Sequence, residues 1–275
     1  MKQAIISAIA IALICFTTTL ASADKKQEEQ KKQKVEQKKE QPKPKEASKK
    51  PESKPKPAVK KKPPVGKWSD AISLFDGKTF DGWGNTKGEA PKKGWVIENG
   101  TLFRKDGGAG QLYSKEEYED FEFTFSWKIS KKGNSGVKYR VAYYEIATHN
   151  RPGWIGCEYQ LLDDQKSKPG AYNTAAVYAL QAPNKKIMKA KKPAGEWNQS
   201  KIQVLGGTIK HWLNGELVNE INIDDEAWEK KVSKSKFAKT KPDQFPSPKG
   251  KIMLQDHGKQ VWFKDLSIKK WEPKK

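Results

Sequence analysis

The stretch Phe121-Glu122-Phe123-Thr124-Phe125-Ser126-Trp127-Lys128-Ile129 decides the fold class of this chain. Large apolar residues occupy every second position, and polar residues fill the positions between them. Because successive side chains of a β-strand point to opposite faces, this alternation predicts a strand with one buried and one wet face. Strands of this kind are typical of antiparallel sheets that cover a core on one side.

The sequence around this stretch contains further short strands with turns between them. Asn-Gly pairs at 99–100 and 214–215 lie between apolar runs and predict two hairpins. Further strands are predicted for 111–114, 134–141, 175–180, 200–205, 208–213 and 261–271. Segment 224–231 is the one short helix that the pattern suggests. The predicted fold is therefore an all-β jelly roll or sandwich of antiparallel strands.

The segment 156–164, Gly-Cys-Glu-Tyr-Gln-Leu-Leu-Asp-Asp, predicts a strand with a polar front. From Cys157 onward every second side chain is apolar, so Cys157 is expected to be buried as a small hydrophobe. Glu158 and Gln160 are expected on the opposite face. Asp163 lies where this strand ends.

A second segment, Lys251-Ile252-Met253-Leu254-Gln255-Asp256-His257-Gly258, repeats this pattern. Its apolar face is formed by Ile252 and Leu254, while Gln255 and His257 share the other face. If both strands belong to one sheet, Glu158, Gln160, Gln255 and His257 converge on one polar surface.

The first 66 residues are not expected to fold. Residues 1–23 resemble a secretory signal, with Lys2, an apolar run and an Ala21-Ser22-Ala23 cleavage site. Residues 24–66 are rich in Lys, Glu, Gln and Pro, which predicts a disordered tether. We expect residues 67–275 to form one folded domain, exported to the periplasm, the cell envelope or the medium, with no transmembrane helix after signal cleavage.

The formal net charge of +21 is divided unevenly along the chain, with +1 in the signal, +9 in the tether and +11 in the domain. We do not expect this positive charge to bind nucleic acid, because the chain is predicted to be exported and its lysines are scattered outside any nucleic-acid motif. The tether either lies along an anionic envelope or cell-wall surface or is simply solvated. After signal cleavage Cys157 is the only cysteine, so no internal disulfide supports the domain.

Several short motifs resemble the 3-keto-disaccharide hydrolase-like family, also described as 3-keto-glucoside lyase/hydratase-like and formerly as a domain of unknown function. These motifs occur in the family's order at 74–78, 82–83, 134–140, 158–163, 195–198, 211–215 and 254–258. The resemblance covers roughly residues 70–271 and implies a concanavalin-like β-sandwich, agreeing with the strand pattern. It implies an oligosaccharide or glycoside substrate, cleaved as a 3-keto-glycoside by hydrolysis or by elimination and hydration. Thr174-Ala175-Ala176 departs from the family's usual Thr-Gly-Ala.

Such chemistry needs a base, an acid and a stabiliser for an enolate oxygen. Glu158 and His257 are the candidate base and acid, while Lys138 and Arg140 share a strand face and could hold negative charge. The other candidates belong to two overlapping groups. The expected substrate-binding residues are Asn134, Gln160, Gln255 and Tyr178, and a divalent metal could instead be held by Glu158, Asp163, Gln255 and His257.

Two other functions fit the same sequence. The first is a non-catalytic, lectin-like carbohydrate-binding module on a tether, and the second is a domain that binds an acidic envelope polymer. Trp154, Trp212 and Trp262 could stack on sugar rings, although most of the ten tryptophans are expected in the core. His211 opens the second hairpin and is expected to orient it.

Overall fold

The computed structural model describes residues 64–105, 107–240 and 245–274. These residues belong to one compact unit. The predicted signal 1–23 and nearly all of the predicted tether 24–66 lie outside the described residues. Within the described part, no helix is long and apolar enough to span a membrane.

The described residues form fourteen strands and two short helices. The strands are β1 Gly66–Trp68, β2 Ile72–Ser73, β3 Trp83–Gly84, β4 Trp95–Glu98, β5 Thr101–Arg104, β6 Leu112–Tyr118, β7 Phe121–Ile129, β8 Asn134–Thr148, β9 Arg151–Leu162, β10 Asn198–Leu205, β11 Thr208–Leu213, β12 Glu216–Asn222, β13 Gly250–Leu254 and β14 Val261–Pro273. The helices are α1 Ile187–Ala190 and α2 Glu226–Ser233.

The strands form two antiparallel sheets. The larger sheet has nine strands, with β12-β11-β10-β7-β14-β5-β4 in order and β1 and β2 paired to β14. The smaller sheet has five strands in the order β3-β6-β13-β8-β9. The β-sandwich that the strand pattern predicted is therefore confirmed.

One main hydrophobic core lies between the sheets and follows the predicted alternation. Phe121, Phe123, Phe125 and Trp127 of β7 are buried in it, and the smaller sheet contributes Cys157 and its alternate neighbours from β9. Burial of about 25 cal/mol for each Å² of apolar surface makes this core the main stabilising term. Cys157 is fully buried, as predicted, and burial raises the pKa of its thiol to about 12.

Two expectations about individual elements are wrong. Segment 175–180 is not a strand: it is a run of turns in which Val177 forms isolated bridges to Tyr159 and to Gln181. The strands β8 and β9 are also longer than predicted, because β8 continues to Thr148 and β9 begins at Arg151. The predicted helix exists, displaced by two residues, and Asp225 caps it by accepting a hydrogen bond from Trp228 N.

Candidate functional site

The outer face of the five-stranded sheet carries the candidate site. On this face Tyr113, Met253, Lys138 and Glu158 form one row across β6, β13, β8 and β9, because Met253 pairs with Tyr113 and Lys138, and Lys138 pairs with Glu158. The residues that alternate with them along the strands, such as Cys157 beside Glu158 and Leu254 beside Met253, belong to the core. The predicted polar front of β9 is thus the solvent side of the sheet.

Glu158 is a carboxylate held almost out of water. Its side chain is 6% exposed, and its Oε2 lies 3.5 Å from Lys138 Nζ. In the amide orientation that satisfies its neighbours, Gln160 Nε2 donates to Glu158 Oε1 at 3.0 Å and to Ser135 O at 3.1 Å. An ammonium group and an amide N–H group thus each contact one carboxylate oxygen, and together they fix the orientation of the Glu158 side chain.

Gly136 makes the room that the carboxylate needs. It pairs with Gln160 across the strands, and a Cβ built on it would lie 2.5 Å from Glu158 Oε1. Any larger residue at this position would therefore displace the carboxylate. The glycine in the Asn-Ser-Gly-Val-Lys-Tyr-Arg motif is explained by this contact rather than by its backbone conformation.

Lys236 is a second cation at the site and comes from the segment after α2. Its ammonium lies 4.3 Å from the centre of the Tyr178 ring, a cation–π contact. Burial of the amine lowers the pKa of Lys236, although the residue as a whole is exposed. Glu158 opposes this shift and Lys138 adds to it, so the three charges are within electrostatic reach of one another.

Tyr178 reaches the site from the segment that runs along the free edge of β9. Its backbone N–H donates to Glu158 O at 3.0 Å, and Ala175 N donates to Gln160 O at 2.8 Å. Burial raises the pKa of the Tyr178 hydroxyl, and the charges of Glu158 and Tyr172 raise it further. Tyr178 is therefore a neutral hydroxyl at neutral pH and can donate a proton.

A buried ion pair anchors this edge segment. Asp164 accepts hydrogen bonds from Thr174 N at 2.9 Å and Thr174 Oγ1 at 2.8 Å. Lys191 Nζ lies 3.4 Å from Asp164 Oδ1 and donates to Asp164 O at 2.7 Å. Both charged side chains are less than 5% exposed, so the pair fixes the chain on either side of the turn.

The amide residues form a row beside Glu158. Gln255 N donates to Gly136 O at 2.9 Å, which places Gln255, Gly136 and Gln160 next to one another. Gln255 Oε1 is buried and accepts no hydrogen bond within the described part of the chain. A substrate hydroxyl would satisfy it. Asn134 Oδ1 lies 3.2 Å from the Gln160 side-chain amide, at the start of β8.

Arg140 does not join these groups. It adopts a left-handed conformation with φ of 50°, and the pairing of β8 with β9 shifts register at this point. The bulge turns its guanidinium away, so that Nη2 lies 3.3 Å from Asp120 Oδ1 and Nε donates to Glu119 O. The expected common face for Lys138 and Arg140 is therefore wrong.

His257 and Asp163 lie at chain turns. His257 is exposed and follows the end of β13, and neither a hydrogen bond nor an ion pair joins it to Glu158. Asp163 Oδ2 accepts a hydrogen bond from Lys132 N at 2.7 Å, which fixes the β7–β8 turn.

The potential metal set Glu158, Asp163, Gln255 and His257 is not assembled. Among the described residues, no three His, Cys, Asp or Glu side chains are grouped closely enough to hold a metal ion. Glu158 is instead neutralised by Lys138. These residues do not fit a metal centre, and the site is described without one.

His211 and two of the three tryptophans lie elsewhere. His211 is fully buried between the sheets, where Nδ1 donates to Ala175 O at 3.0 Å and Nε2 accepts from Tyr139 Oη at 2.9 Å. Trp212 and Trp262 lie on the nine-stranded sheet, with Lys201 and Lys128 over their rings. These ammonium groups occupy the ring faces that a sugar would need.

A surface cavity of about 850 Å³ lies away from this chemistry, between β1 and the end of β14. It is lined by Val65, Ile72 and Trp271, and its carboxylate, Glu272, is half exposed. Since it contains no buried ionisable group, we place the candidate site at Glu158 instead.

Comparison with known proteins identifies the family to which this chain belongs. Residues 70–269 match the model of the 3-keto-alpha-glucoside-1,2-lyase-like domain. A Bacteroides thetaiotaomicron protein named 3-keto-disaccharide hydrolase is 34% identical over 227 residues, which cover 72% of this chain and 77% of that protein.

Two crystal structures from Parabacteroides distasonis ATCC 8503, both of candidate glycosyl hydrolases, are also similar. The first has a TM-score of 0.62 and 32% identity, covering 74% of this chain and 94% of its own. The second has a TM-score of 0.52 and 26% identity, covering 73% of this chain and 98% of its own. Together these matches support a carbohydrate-active enzyme.

Proposed function

Because the chain belongs to the 3-keto-alpha-glucoside-1,2-lyase-like family, we propose that it cleaves 3-keto-glycosides by removing the C2 proton and expelling the group at C1. The observation that carries this proposal is the buried Glu158 carboxylate beside Lys138 and Lys236. It is a base with two cations nearby, which is what enolate formation requires. The name of the Bacteroides relative supports the substrate class.

The first step is proton transfer from C2 to Glu158. The C3 ketone acidifies this hydrogen, and its removal leaves an enediolate with negative charge on the C3 oxygen. Lys138 and Lys236 are the two ammonium groups that would stabilise this charge. The low exposure of Glu158 strengthens both effects, because water competes poorly with charges at a site of this kind.

The second step breaks the bond between C1 and its substituent oxygen. The electron pair of the enediolate forms the C1–C2 double bond, and the leaving oxygen takes a proton. Tyr178, whose pKa is raised partly by the charge of Glu158, is the neutral hydroxyl that would donate this proton. Water then adds across the double bond, with oxygen to C1 and hydrogen to C2, which gives the free 3-keto sugar.

The amide row would hold the hydroxyls of the sugar ring. Gln255 Oε1 is buried without a partner and can accept from a hydroxyl. Gln160 is already engaged with Glu158, so its main role is to orient the carboxylate. Asn134 and Gln255 are therefore the residues that we propose for substrate contact.

The test is incubation of the purified protein with several 3-keto-glycosides, with release of the aglycone as the readout. Glu158→Gln should reduce release by about 10²–10⁴-fold, because it removes the base without changing the size of the side chain. The matched control Glu117→Gln, at an exposed position of β6, should release aglycone at the wild-type rate. Wild-type protein that binds these glycosides without releasing the aglycone would instead indicate a lectin-like module.

A further inference from the structure

A second apolar cluster lies on the wet side of the five-stranded sheet. It consists of Tyr113, Val141 and Met253, all buried, with Trp154 packed against them. This cluster is separate from the core between the sheets. Tyr143, which is 50% exposed, lies beside Trp154 with 5.9 Å between ring centroids. We refer to these five residues as the aromatic shelf.

The aromatic shelf adjoins the candidate site directly. Met253 is the cross-strand neighbour of Lys138, which is in turn the neighbour of Glu158. Adjacent strands are about 4.8 Å apart, so the backbone of Met253 lies about 10 Å from the backbone of Glu158. Along β9, Trp154 and Glu158 point to the same face with only Gly156 between them on that face, so no side chain of β9 separates them.

The amide row and the aromatic shelf lie on opposite sides of Glu158. Gln255 and Gln160 provide hydrogen-bonding groups, which suit a polyhydroxylated ring. Val141 and Met253 are fully buried in the cluster, and the apolar surface that a ligand can reach is provided by Trp154 and Tyr143. A ligand across both regions therefore has a polar half and an apolar, flat half.

Folding alone does not explain the aromatic shelf. An apolar cluster on the solvent face of a sheet contributes little to the main core, and its half-exposed tyrosine keeps apolar surface in water. The rings of Trp154 and Tyr113 are fixed edge to face at 6.1 Å, so the surface is rigid before any ligand arrives. Rigid aromatic surface beside a reactive centre reduces the ordering entropy of binding.

We propose that the aromatic shelf binds the leaving group, and that the preferred substrates are 3-keto-glycosides with an aromatic aglycone. This inference rests on the proposed function, and it adds the substrate class. A second sugar at this position would turn some of its hydroxyls toward the rings of Trp154 and Tyr143, which do not replace the hydrogen bonds of water. An aromatic ring instead loses only apolar hydration there and gains edge or face contacts with Trp154 and Tyr143.

The test measures binding without turnover. The ligands are 4-nitrophenyl, methyl and 4-glucosyl (cellobiose) glucosides that have not been oxidised at C3, titrated into the full-length protein by calorimetry. Wild-type protein should bind the 4-nitrophenyl glucoside about tenfold more tightly than either of the other two. Trp154→Ala and Tyr143→Ala should each reduce this preference to near one, whereas Trp212→Ala, on the other sheet, should retain it.

Two results would overturn the inference. One is equal affinity of the wild-type protein for the three glucosides, or tighter binding of cellobiose. The other is an aromatic preference that survives in Tyr143→Ala, a half-exposed position where substitution leaves the fold intact. These ligands lack the ketone, so their binding does not depend on the proposed reaction. A protein that prefers the aromatic glucoside but is inactive on 3-keto-glycosides would refute the proposed reaction and still support binding at the aromatic shelf.

Discussion

Gly136 and Glu158 share one small volume, and this is the tightest constraint on the site. Because Gly136 has no side chain, Glu158 Oε1 can occupy the space beside it, where a Cβ would lie only 2.5 Å from that oxygen. Lys138 and Gln160 hold the carboxylate in this position. Proton abstraction depends on such placement, because a displacement of about 1 Å can cost about 10²-fold in rate.

Gly136→Ala should therefore reduce kcat for 3-keto-glycosides by about 10²-fold, because the added methyl group pushes the carboxylate away from its partners. The measurement is steady-state release of the aglycone. Gly153→Ala is the control, since its Cβ would meet only Ala147 Cβ at 3.8 Å, an ordinary contact. Equal rates for Gly136→Ala and wild type would mean that Glu158 acts from another position.

His211 is a buried neutral imidazole, and its protonation should change the free energy of unfolding. Burial lowers its pKa from 6.5 to about 4, although the Ala175 carbonyl opposes this shift. Between these values the unfolded chain binds a proton that the folded chain does not. The free energy of unfolding should therefore fall as pH drops below 6.5, by about 3 kcal/mol from this group at pH 4, and be unaffected by it above pH 6.5.

Urea unfolding between pH 7 and pH 4 measures this effect, and His211→Asn should lack this part of the pH dependence. The NMR signals of the three histidines provide a direct control. An imidazole of His211 that titrates near pH 6.5 would contradict the buried hydrogen bonds to Ala175 and Tyr139.

At the scale of elements, the edge segment beside β9 determines where Tyr178 lies. Ala175 of this segment has a φ of 60° and is fully buried. The Asp164–Lys191 pair and Thr174 anchor its beginning. A backbone conformation that β-carbon atoms disfavour is thus maintained by buried polar contacts.

Lys191→Ala should lower the free energy of unfolding by about 3–5 kcal/mol, because it leaves the Asp164 carboxylate buried without its cation. Chemical denaturation measures the change. Lys189→Ala, at an exposed lysine of the helix that Lys191 follows, should change stability by less than about 0.5 kcal/mol. A similar small loss in both variants would show that the buried pair is not an anchor.

The sequence patterns predicted strands better than they predicted bends. Alternation of apolar and polar residues correctly placed Glu158 and Gln160 on the outer face, because this pattern is itself a consequence of strand geometry. The same rule failed at Arg140, where a bulge with positive φ reverses the faces of β8, and arginine is not a residue that signals such a conformation. It also failed for 175–180, whose apolar residues are buried as turns against β9.

Tertiary contacts explain the site residues that sequence could not reveal. Lys236 lies in a lysine-rich segment without a motif, and only the path of the chain over the β9 edge brings it near Glu158. His257 was expected on the same polar surface as Glu158 because it follows Gln255 by two positions, but β13 ends at Leu254. Beyond that residue the alternation no longer applies, and Asp256 is held by Gln111 and Arg104.

At the scale of the whole molecule, the two faces of the sandwich differ in chemistry. The five-stranded sheet carries a buried carboxylate with cations and an aromatic shelf. The nine-stranded sheet carries tryptophans whose faces are covered by lysines, as for Lys128 between Trp197 and Trp262. Catalysis is therefore proposed on one face only, and the other is expected to be a solvated surface.

The predicted tether 24–66 overlaps the fold only at its end, where Gly66 begins β1, and we propose that the part before Pro64 adds charge but no stability and holds an exported domain near an anionic envelope surface. A chain that begins at Pro64 should unfold within about 0.5 kcal/mol of the full-length protein in urea. A larger loss would show that the preceding residues contribute to the fold. Cell fractionation of the full-length protein tests the export.

The central claim is that Glu158 removes the C2 proton of a 3-keto-glycoside, and deuterium incorporation tests it most directly. The protein is mixed with a 3-keto-glycoside in D₂O, and NMR follows the C2 hydrogen at early times against an enzyme-free control. The wild-type product should carry deuterium at C2, and Glu158→Gln should neither exchange this hydrogen nor release the aglycone. Release by wild-type protein with the C2 hydrogen retained, or exchange by Glu158→Gln at the wild-type rate, would contradict the claim.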